Sequence, residues 1–263
     1  MIKIIDPVMF KIFSLEIRWY GFLIISSLLI SLFILKYILK RDNSEIDFEF
    51  FLDFIIFALP TAVIGARLYY VLFNLEYYLS RPAKILAVQE GGLAIHGALI
   101  FAAAVLYIMA KKRNVSFLKS LDYLAPLMSL GQSIGRWGNF INQEAYGRII
   151  SSDYYDFFPD FIKNQMFIDG HYREAAFLYE SAADFLLFIF LFFYLKKDSR
   201  ENGDVIAFYL IFYSIFRYFI EELRTDSLLI FGLQTAQLMS ILMIILGAYI
   251  LIKNHLYKNN KLK

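Results

Sequence analysis

Apolar runs of helix length recur along this chain, separated by short polar stretches. Seven stand out, at about 17–39, 50–73, 93–110, 117–134, 176–195, 204–221 and 230–252. A helix needs roughly 20 apolar residues to cross a hydrocarbon layer about 30 Å thick. The runs at 93–110 and 117–134 are short for a span, so tilt or a helix break is expected there. The expected fold class is an all-α polytopic membrane protein with seven transmembrane helices, residues 1–263 forming a single transmembrane catalytic domain. The one long stretch between runs, 136–175, mixes Asp153, Asp156, Asp160 and Asp169 with Tyr154, Tyr155, Phe157, Phe158, Phe161 and Phe167. Aromatic and charged side chains together predict a small head resting on the outer bilayer surface.

The basic residues orient these runs. Lys36, Lys40, Arg41, Lys111, Lys112, Arg113, Lys119, Lys196, Lys197, Arg200, Lys253, Lys258, Lys261 and Lys263 all fall on the side of the loop after the first run. They are 14 of the 26 Lys and Arg residues. Short loops rich in Lys and Arg stay in the cytoplasm, so the N-terminus is expected outside and the C-terminus inside. Asp6, Pro7, Lys11 and Glu16 precede a first run longer than a signal-peptide core, so no removable signal peptide is expected.

On this topology most of the unusual polar residues gather at one level. Tyr20, Arg67, His96, Arg136, Asn139, Asn142, Glu144, Glu180, Arg217, Glu221, Arg224, Gln234 and Gln237 lie toward the outer ends of their runs, with Asp53 and Asp122 toward the cytoplasm. Charged groups at membrane depth are costly unless they pair with each other or with a ligand. The densest block is Gly135–Arg148, where two arginines, two asparagines, a glutamine and a glutamate are punctuated by three glycines. Arg217, Glu221 and Arg224 are spaced to share one helix face. They form either an internal ion pair or a partly open guanidinium group for a phosphate. With Arg67 and Arg136 at the same level, an anionic lipid headgroup is the natural remaining partner.

His96 lies between glycines in Gly91-Gly92-Leu93-Ala94-Ile95-His96-Gly97. It is either a satisfied core histidine or a base that accepts a proton near neutral pH. His171 and His255 read as solvated bystanders, and three scattered histidines without carboxylate spacing make no metal motif. The chain has no cysteine, which excludes disulfides, thiolate metal sites and a cysteine nucleophile. A reacting thiol would have to arrive with the substrate. Gly131-Gln132-Ser133-Ile134-Gly135 fits the Gly-x-Ser-x-Gly pattern of serine hydrolases, yet that elbow needs a strand before the serine. Gly131 and Gly135 also carry the spacing of close helix packing. A transporter is a further alternative, but no inverted repeat stands out and the polar groups avoid the midplane.

The block Arg136-x-Gly138-Asn139-Phe140-x-Asn142-x-Glu144-x-x-Gly147-Arg148 resembles the defining motif of the bacterial prolipoprotein diacylglyceryl transferases. Further likenesses follow in order: Ile17–Gly21, Gly65–Leu68, Glu90–Gly97, Asp122–Pro126, Phe177–Ser181, Tyr213–Arg217 with Glu221 and Arg224, and Gln237–Ser240. Two departures are Ala98, where the family usually has a second glycine, and Arg173-Glu174-Ala175-Ala176, where it commonly has Arg-His-Pro and a small residue. No role is assigned to residues 173–176. The resemblance implies transfer of a diacylglyceryl group from phosphatidylglycerol to the lipobox cysteine of a prolipoprotein signal peptide, in the bacterial inner membrane at its outer leaflet. It implies His96, Arg136 and Arg217 as catalytic. Tyr20, Arg67, Asn139, Glu144, Gly147, Tyr213, Glu221 and Arg224 would bind substrate, with Glu144 and Glu221 fixing the arginines. Membrane lipids are expected partners; no cofactor, metal or nucleic acid is called for.

Overall fold

A computed structural model describes residues 4–224, 229–230 and 233–261. Residues 231–232 of the last apolar run and Lys263 of the basic tail lie outside the described residues. The chain opens with a hairpin, β1 (Val8–Ile12) and β2 (Leu15–Arg18), and passes into α1 (Trp19–Arg41). There follow α2 (Phe48–Phe73), the short α3 (Leu75–Leu79), α4 (Ile95–Arg113) and α5 (Phe117–Asn142). A connecting region holds α6 (Asp160–Gln165) and the hairpin β3 (Phe167–Ile168) and β4 (His171–Tyr172). Next come α7 (Ala176–Tyr194), α8 (Asp204–Glu221), a hairpin of β5 (Leu229–Ile230) and β6 (Leu233–Gln234), and α9 (Thr235–Lys261).

Each of the seven apolar runs is built as a long helix. Five are long and apolar enough to cross a membrane: α1, α2, Ile95–Lys112 of α4, α7 and Thr235–Leu256 of α9. The other two, α5 and α8, hold Lys119, Asp122 and Arg136 on one and Asp204, Arg217 and Glu221 on the other. Large side chains such as Leu29, Phe33, Ile245 and Tyr249 are exposed along α1 and α9. In water that surface would be a liability, whereas hydrocarbon solvates it.

The chain divides into two compact units, residues 39–120 and the remainder. In the smaller, Asp47 caps α2 by accepting from the Phe50 amide at 2.8 Å. There α2 and α4 cross at glycines: a Cβ on Gly97 would collide with the Gly65 carbonyl, and one on Gly65 with the Phe101 ring. Backbones approach this closely only where the side chain is absent. Arg113 pairs with Asp53 at 2.7 Å at one end of this helix pair.

In the larger unit, α5 and α7 are joined by side chains one turn apart. Ser129 Oγ donates to the Asp184 carbonyl (2.7 Å), Ser133 Oγ to the Ser181 carbonyl (2.8 Å), Ser181 Oγ back to the Ser133 carbonyl (2.9 Å), and Trp137 Nε1 to Ser181 Oγ (3.1 Å). Buried Asp122 of α5 caps α8, accepting from the Gly203 and Ile206 amides at 2.7 and 2.9 Å, with Arg200 at 3.6 Å. That serves the orphan amides of a helix start. Asn254 of α9 donates to Asp204 at 2.9 Å, and Gly247 admits the Ala207 carbonyl of α8. Above α5, the aromatic residues between α5 and α7 make a core of their own, in which Phe140, Tyr155, Ile162, Met166, Ile168 and Phe177 are buried. Gln165 ties this core down: it accepts from the Ile5 amide (2.8 Å) and donates to the Ile141 carbonyl (2.9 Å). Burial pushes the Tyr155 phenol well above its ordinary pKa, so it stays a donor, here to the Arg173 carbonyl.

Candidate active site

The centre of the larger unit is one carboxylate, Glu180, in the first turns of α7 and only 4% exposed. Arg136 of α5 pairs with its Oε2, Arg217 of α8 reaches the same oxygen at 3.1 Å, and Arg224 approaches Oε1 at 3.8 Å. Arg217 also pairs with Glu221, one turn on, at 2.5 Å. The side chains of the three arginines are 14–17% exposed. Like charges this close are held together because Glu180 lies between them and Glu221 pairs with Arg217, for removing one partner of a buried ion pair strands the rest. Among the described residues Arg136 uses one terminal nitrogen on Glu180 and makes no other hydrogen bond. The remainder of its planar fork is open, which is the geometry that meets a phosphate in bidentate fashion.

The serine–tryptophan ladder fixes this geometry. Ser129, Ser133 and Trp137 lie four residues apart along α5, so one face of that helix is pinned to α7 and Arg136 is carried to Glu180. Below Glu180 on the same helix, Asp184 is 3% exposed and its Oδ2 has no hydrogen-bond partner among the described residues. With Glu180, Tyr213 and Arg217 it lines a narrow cavity. Tyr213 stacks on Tyr209, whose hydroxyl donates to Gln132 at 3.0 Å.

The central motif begins in helix, not loop. α5 runs past the apolar run at 134 as far as Asn142, and the chain then turns through Gln143 (φ 55°) and Ala145 (φ 55°), both left-handed. Tyr20 lies against this stretch, for a Cβ on Gly138 would collide with its ring. Glu144 does not fix an arginine, contrary to expectation. The turn folds its carboxylate back over the helix end, where Asn139 and Asn142 donate to it at 3.4 and 3.2 Å. Glu221 does hold Arg217, as expected from the spacing. Gly147 bridges Arg224 by backbone and has Glu174 on its other side.

Arg67 also departs from its expected part. In the smaller unit it is buried, and its guanidinium donates to five carbonyls: Lys84 (2.5 Å), Ile85 (2.8 Å), Ala87 (3.3 Å), Gly91 (2.7 Å) and Gly92 (3.0 Å). A guanidinium has five N–H groups, so this one organises the loop before α4. Gly91 and Gly92 adopt φ of 87° and 71°, and a Cβ on Gly92 would lie 2.5 Å from Arg67 Nη1. These glycines answer to the arginine. His96 follows in the first turn of α4, half-buried, with the Tyr69 ring 5.9 Å away. His171 and His255 are exposed.

Ser133 is buried, and its hydroxyl is engaged by α7 in the ladder above. It sits inside a helix with no strand before it, so the hydrolase elbow is absent. Close packing by Gly131 and Gly135 is not realised either. A Cβ on Gly135 would meet nothing within 4 Å, and one on Gly131 only Ser27 Oγ at 3.9 Å. The hydrogen bonds of the serines bring these helices together.

Sequence reasoning underrated Glu180 and passed over Asp184 and Glu174. The signal for the first two was present: two carboxylates four residues apart in an otherwise apolar run. What was missing was the partner, since Arg136 of α5, Arg217 of α8 and Arg224 just beyond α8 converge only in space.

Fold and site together define a polytopic helical membrane protein with a cluster of arginines gathered on a buried glutamate. A family model, that of the prolipoprotein diacylglyceryl transferases, matches residues 7–253. The chain is 46% identical over 261 residues to the phosphatidylglycerol–prolipoprotein diacylglyceryl transferase of Clostridium novyi (98% of this chain, 99% of the relative). It is 41% identical over 255 residues to that of Streptococcus mutans (95% and 97%), and 43% over 258 residues to that of Streptococcus pneumoniae (98% and 95%). The chain belongs to the prolipoprotein diacylglyceryl transferase family.

Proposed function

We propose that this protein transfers an sn-1,2-diacylglyceryl group from phosphatidylglycerol to the thiol of the lipobox cysteine in prolipoproteins, the first step of bacterial lipoprotein maturation. The thiol gives up its proton, its sulfur forms a bond to the glyceryl carbon, and the carbon–oxygen bond to phosphate breaks. Glycerol phosphate leaves with the bonding electrons. The observation that carries this reading is the convergence of Arg136, Arg217 and Arg224 on Glu180, with most of the Arg136 fork open.

Arg136 and Arg217 hold the phosphate and stabilise the charge that grows on the leaving group, the task for which preorganised donors are most effective. Glu180 and Glu221 set the two forks in advance, so little reorganisation is needed when the headgroup arrives. Tyr20 and Asn139 orient the glycerol end, Tyr213 lines the floor of the cluster, and Gly147 keeps the chain beside Arg224 close. A free thiol has a pKa of about 8.5 and needs a base or a positive field at neutral pH. His96 is the candidate base, from its place in the sequence motif. The chain spans the inner membrane seven times, N-terminus outside, and works at the outer leaflet beneath the 136–175 head.

The test is transfer from headgroup-labelled phosphatidylglycerol to a lipobox peptide in membranes holding this chain. Glycerol phosphate and thioether should form in equal amounts. Arg136→Ala should abolish both, and Ser133→Ala should keep activity within a few-fold. Peptide cleavage without transfer, or covalent capture of Ser133 by a fluorophosphonate, would overturn the reading.

A further inference from the structure

Glu174 sits where the chain departs from the family's usual Arg-His-Pro, and it is only 8% exposed. Its carboxylate accepts from Arg148 Nε at 3.1 Å and from the Tyr179 hydroxyl at 3.4 Å. Its main chain is engaged on the same side: the Gly147 amide donates to its carbonyl and its own amide to the Arg148 carbonyl, both at 2.9 Å. Gly147 in turn forms an antiparallel bridge with Arg224. A Cβ on Gly147 would lie 2.8 Å from Glu174 Cβ and 3.2 Å from the Leu223 carbonyl, so the segment is wedged between the two.

Both supports of the arginine cluster therefore meet at this residue. On one side runs the bridge from Gly147 to Arg224, which reaches Glu180 at 3.8 Å. On the other is Tyr179, the residue before Glu180 in α7. We infer that Glu174 is a positioning residue for headgroup recognition: its carboxylate locks Gly147–Arg148 to the first turn of α7 and so sets the register of Arg224 against Glu180. It acts through Arg148, Gly147 and Tyr179, not by contact with the lipid. The inference rests on the phosphatidylglycerol reading above.

Losing this carboxylate strands no buried partner. The Arg148 side chain is 68% exposed and takes water instead, and Tyr179 keeps its hydrogen bond to Tyr154. The variants should thus fold, and the effect should appear in substrate affinity. Glu174→Ala is expected to raise KM for phosphatidylglycerol about fivefold at equal folded protein with kcat within about twofold, the signature of lost binding. Glu174→Gln retains an acceptor and should return KM to within about twofold of the parent. Arg148→Ala should copy Glu174→Ala, and the double variant should be no worse than either, as for two members of one contact. An unchanged KM in Glu174→Ala, or activity lost only in proportion to folded protein, would overturn the inference. Should Glu174→Ala fail to accumulate, Arg148→Ala breaks the same contact from its exposed side and decides by the same KM criterion. Absence of transfer by the parent chain would instead refute the functional reading.

Discussion

Arg67 and Arg136 show how one residue type serves opposite ends. Arg67 has all five N–H groups on loop carbonyls, whereas Arg136 uses one nitrogen on Glu180 and makes no other hydrogen bond among the described residues. A lysine at either position keeps the charge and loses the planar array. At position 67 it has three donors for five carbonyls, so the loop before α4 should loosen and the folded yield fall. At positions 136 and 217 the loss should be catalytic. A lost charge-assisted hydrogen bond costs about 1.5–3 kcal/mol, so Arg136→Lys and Arg217→Lys should each lower transfer by roughly tenfold or more. Arg148→Lys should be milder, because that side chain is largely solvated and meets Glu174 through Nε. Rates for the three variants at equal folded protein decide the matter. Near-normal transfer by the lysine variants at 136 and 217 would leave only a diffuse positive field.

At the scale of elements, the glycines sort by what they touch. Gly97 and Gly138 admit a backbone and a tyrosine ring, while Gly135 faces open space. Gly97→Ala and Gly138→Ala should therefore destabilise the protein, Gly97 the more, because its obstacle is the Gly65 carbonyl and not a movable side chain. Gly135→Ala should be neutral or slightly stabilising, as alanine exceeds glycine by about 1 kcal/mol in a helix interior. Thermal unfolding in detergent measures the order, and a large loss for Gly135→Ala would refute it. The same positions show what was legible from sequence. Apolar runs locate each of the seven long helices, because burial in hydrocarbon follows composition, but not all their ends: α5 continues to Asn142 and α9 to Lys261. The end of α5 was hidden, since Gly135, Arg136, Gly138 and Asn139 look like a loop, and only the ladder from Ser129 to Trp137 explains why the helix continues. The Gly131/Gly135 spacing misled because a spacing does not say what lies opposite. Arg67 misled for a related reason: carbonyl acceptors carry no signature in a sequence, so a saturated arginine reads like a free one.

For the whole molecule, orientation decides which side of the membrane the arginine cluster serves. Among the described residues five helices meet the length and apolarity of a span, and α5 and α8 reach similar lengths. If all seven cross, the termini lie on opposite sides, and the bias of 14 basic residues toward one set of loops and the C-terminal tail puts those in the cytoplasm. The arginine cluster would then lie toward the outer face, where a lipobox cysteine emerges after its apolar signal segment. The chain contains no cysteine, so single cysteines introduced at positions 3, 113, 163 and 261 report position without background. An impermeant maleimide applied to intact cells, or to spheroplasts where an outer membrane intervenes, should label positions 3 and 163 and spare 113 and 261 until the membrane is opened. Position 163 is the most telling of the four, because Lys163 lies on α6 in the region joining α5 to α7. Protection at 163 with labelling at 113 would invert the molecule and put the cluster on the side where lipobox thiols do not arrive. Labelling of 3 and 261 alike would leave an even number of spans, and α5 and α8 would be the first helices to reconsider, since they fall outside the five that meet the length and apolarity of a span.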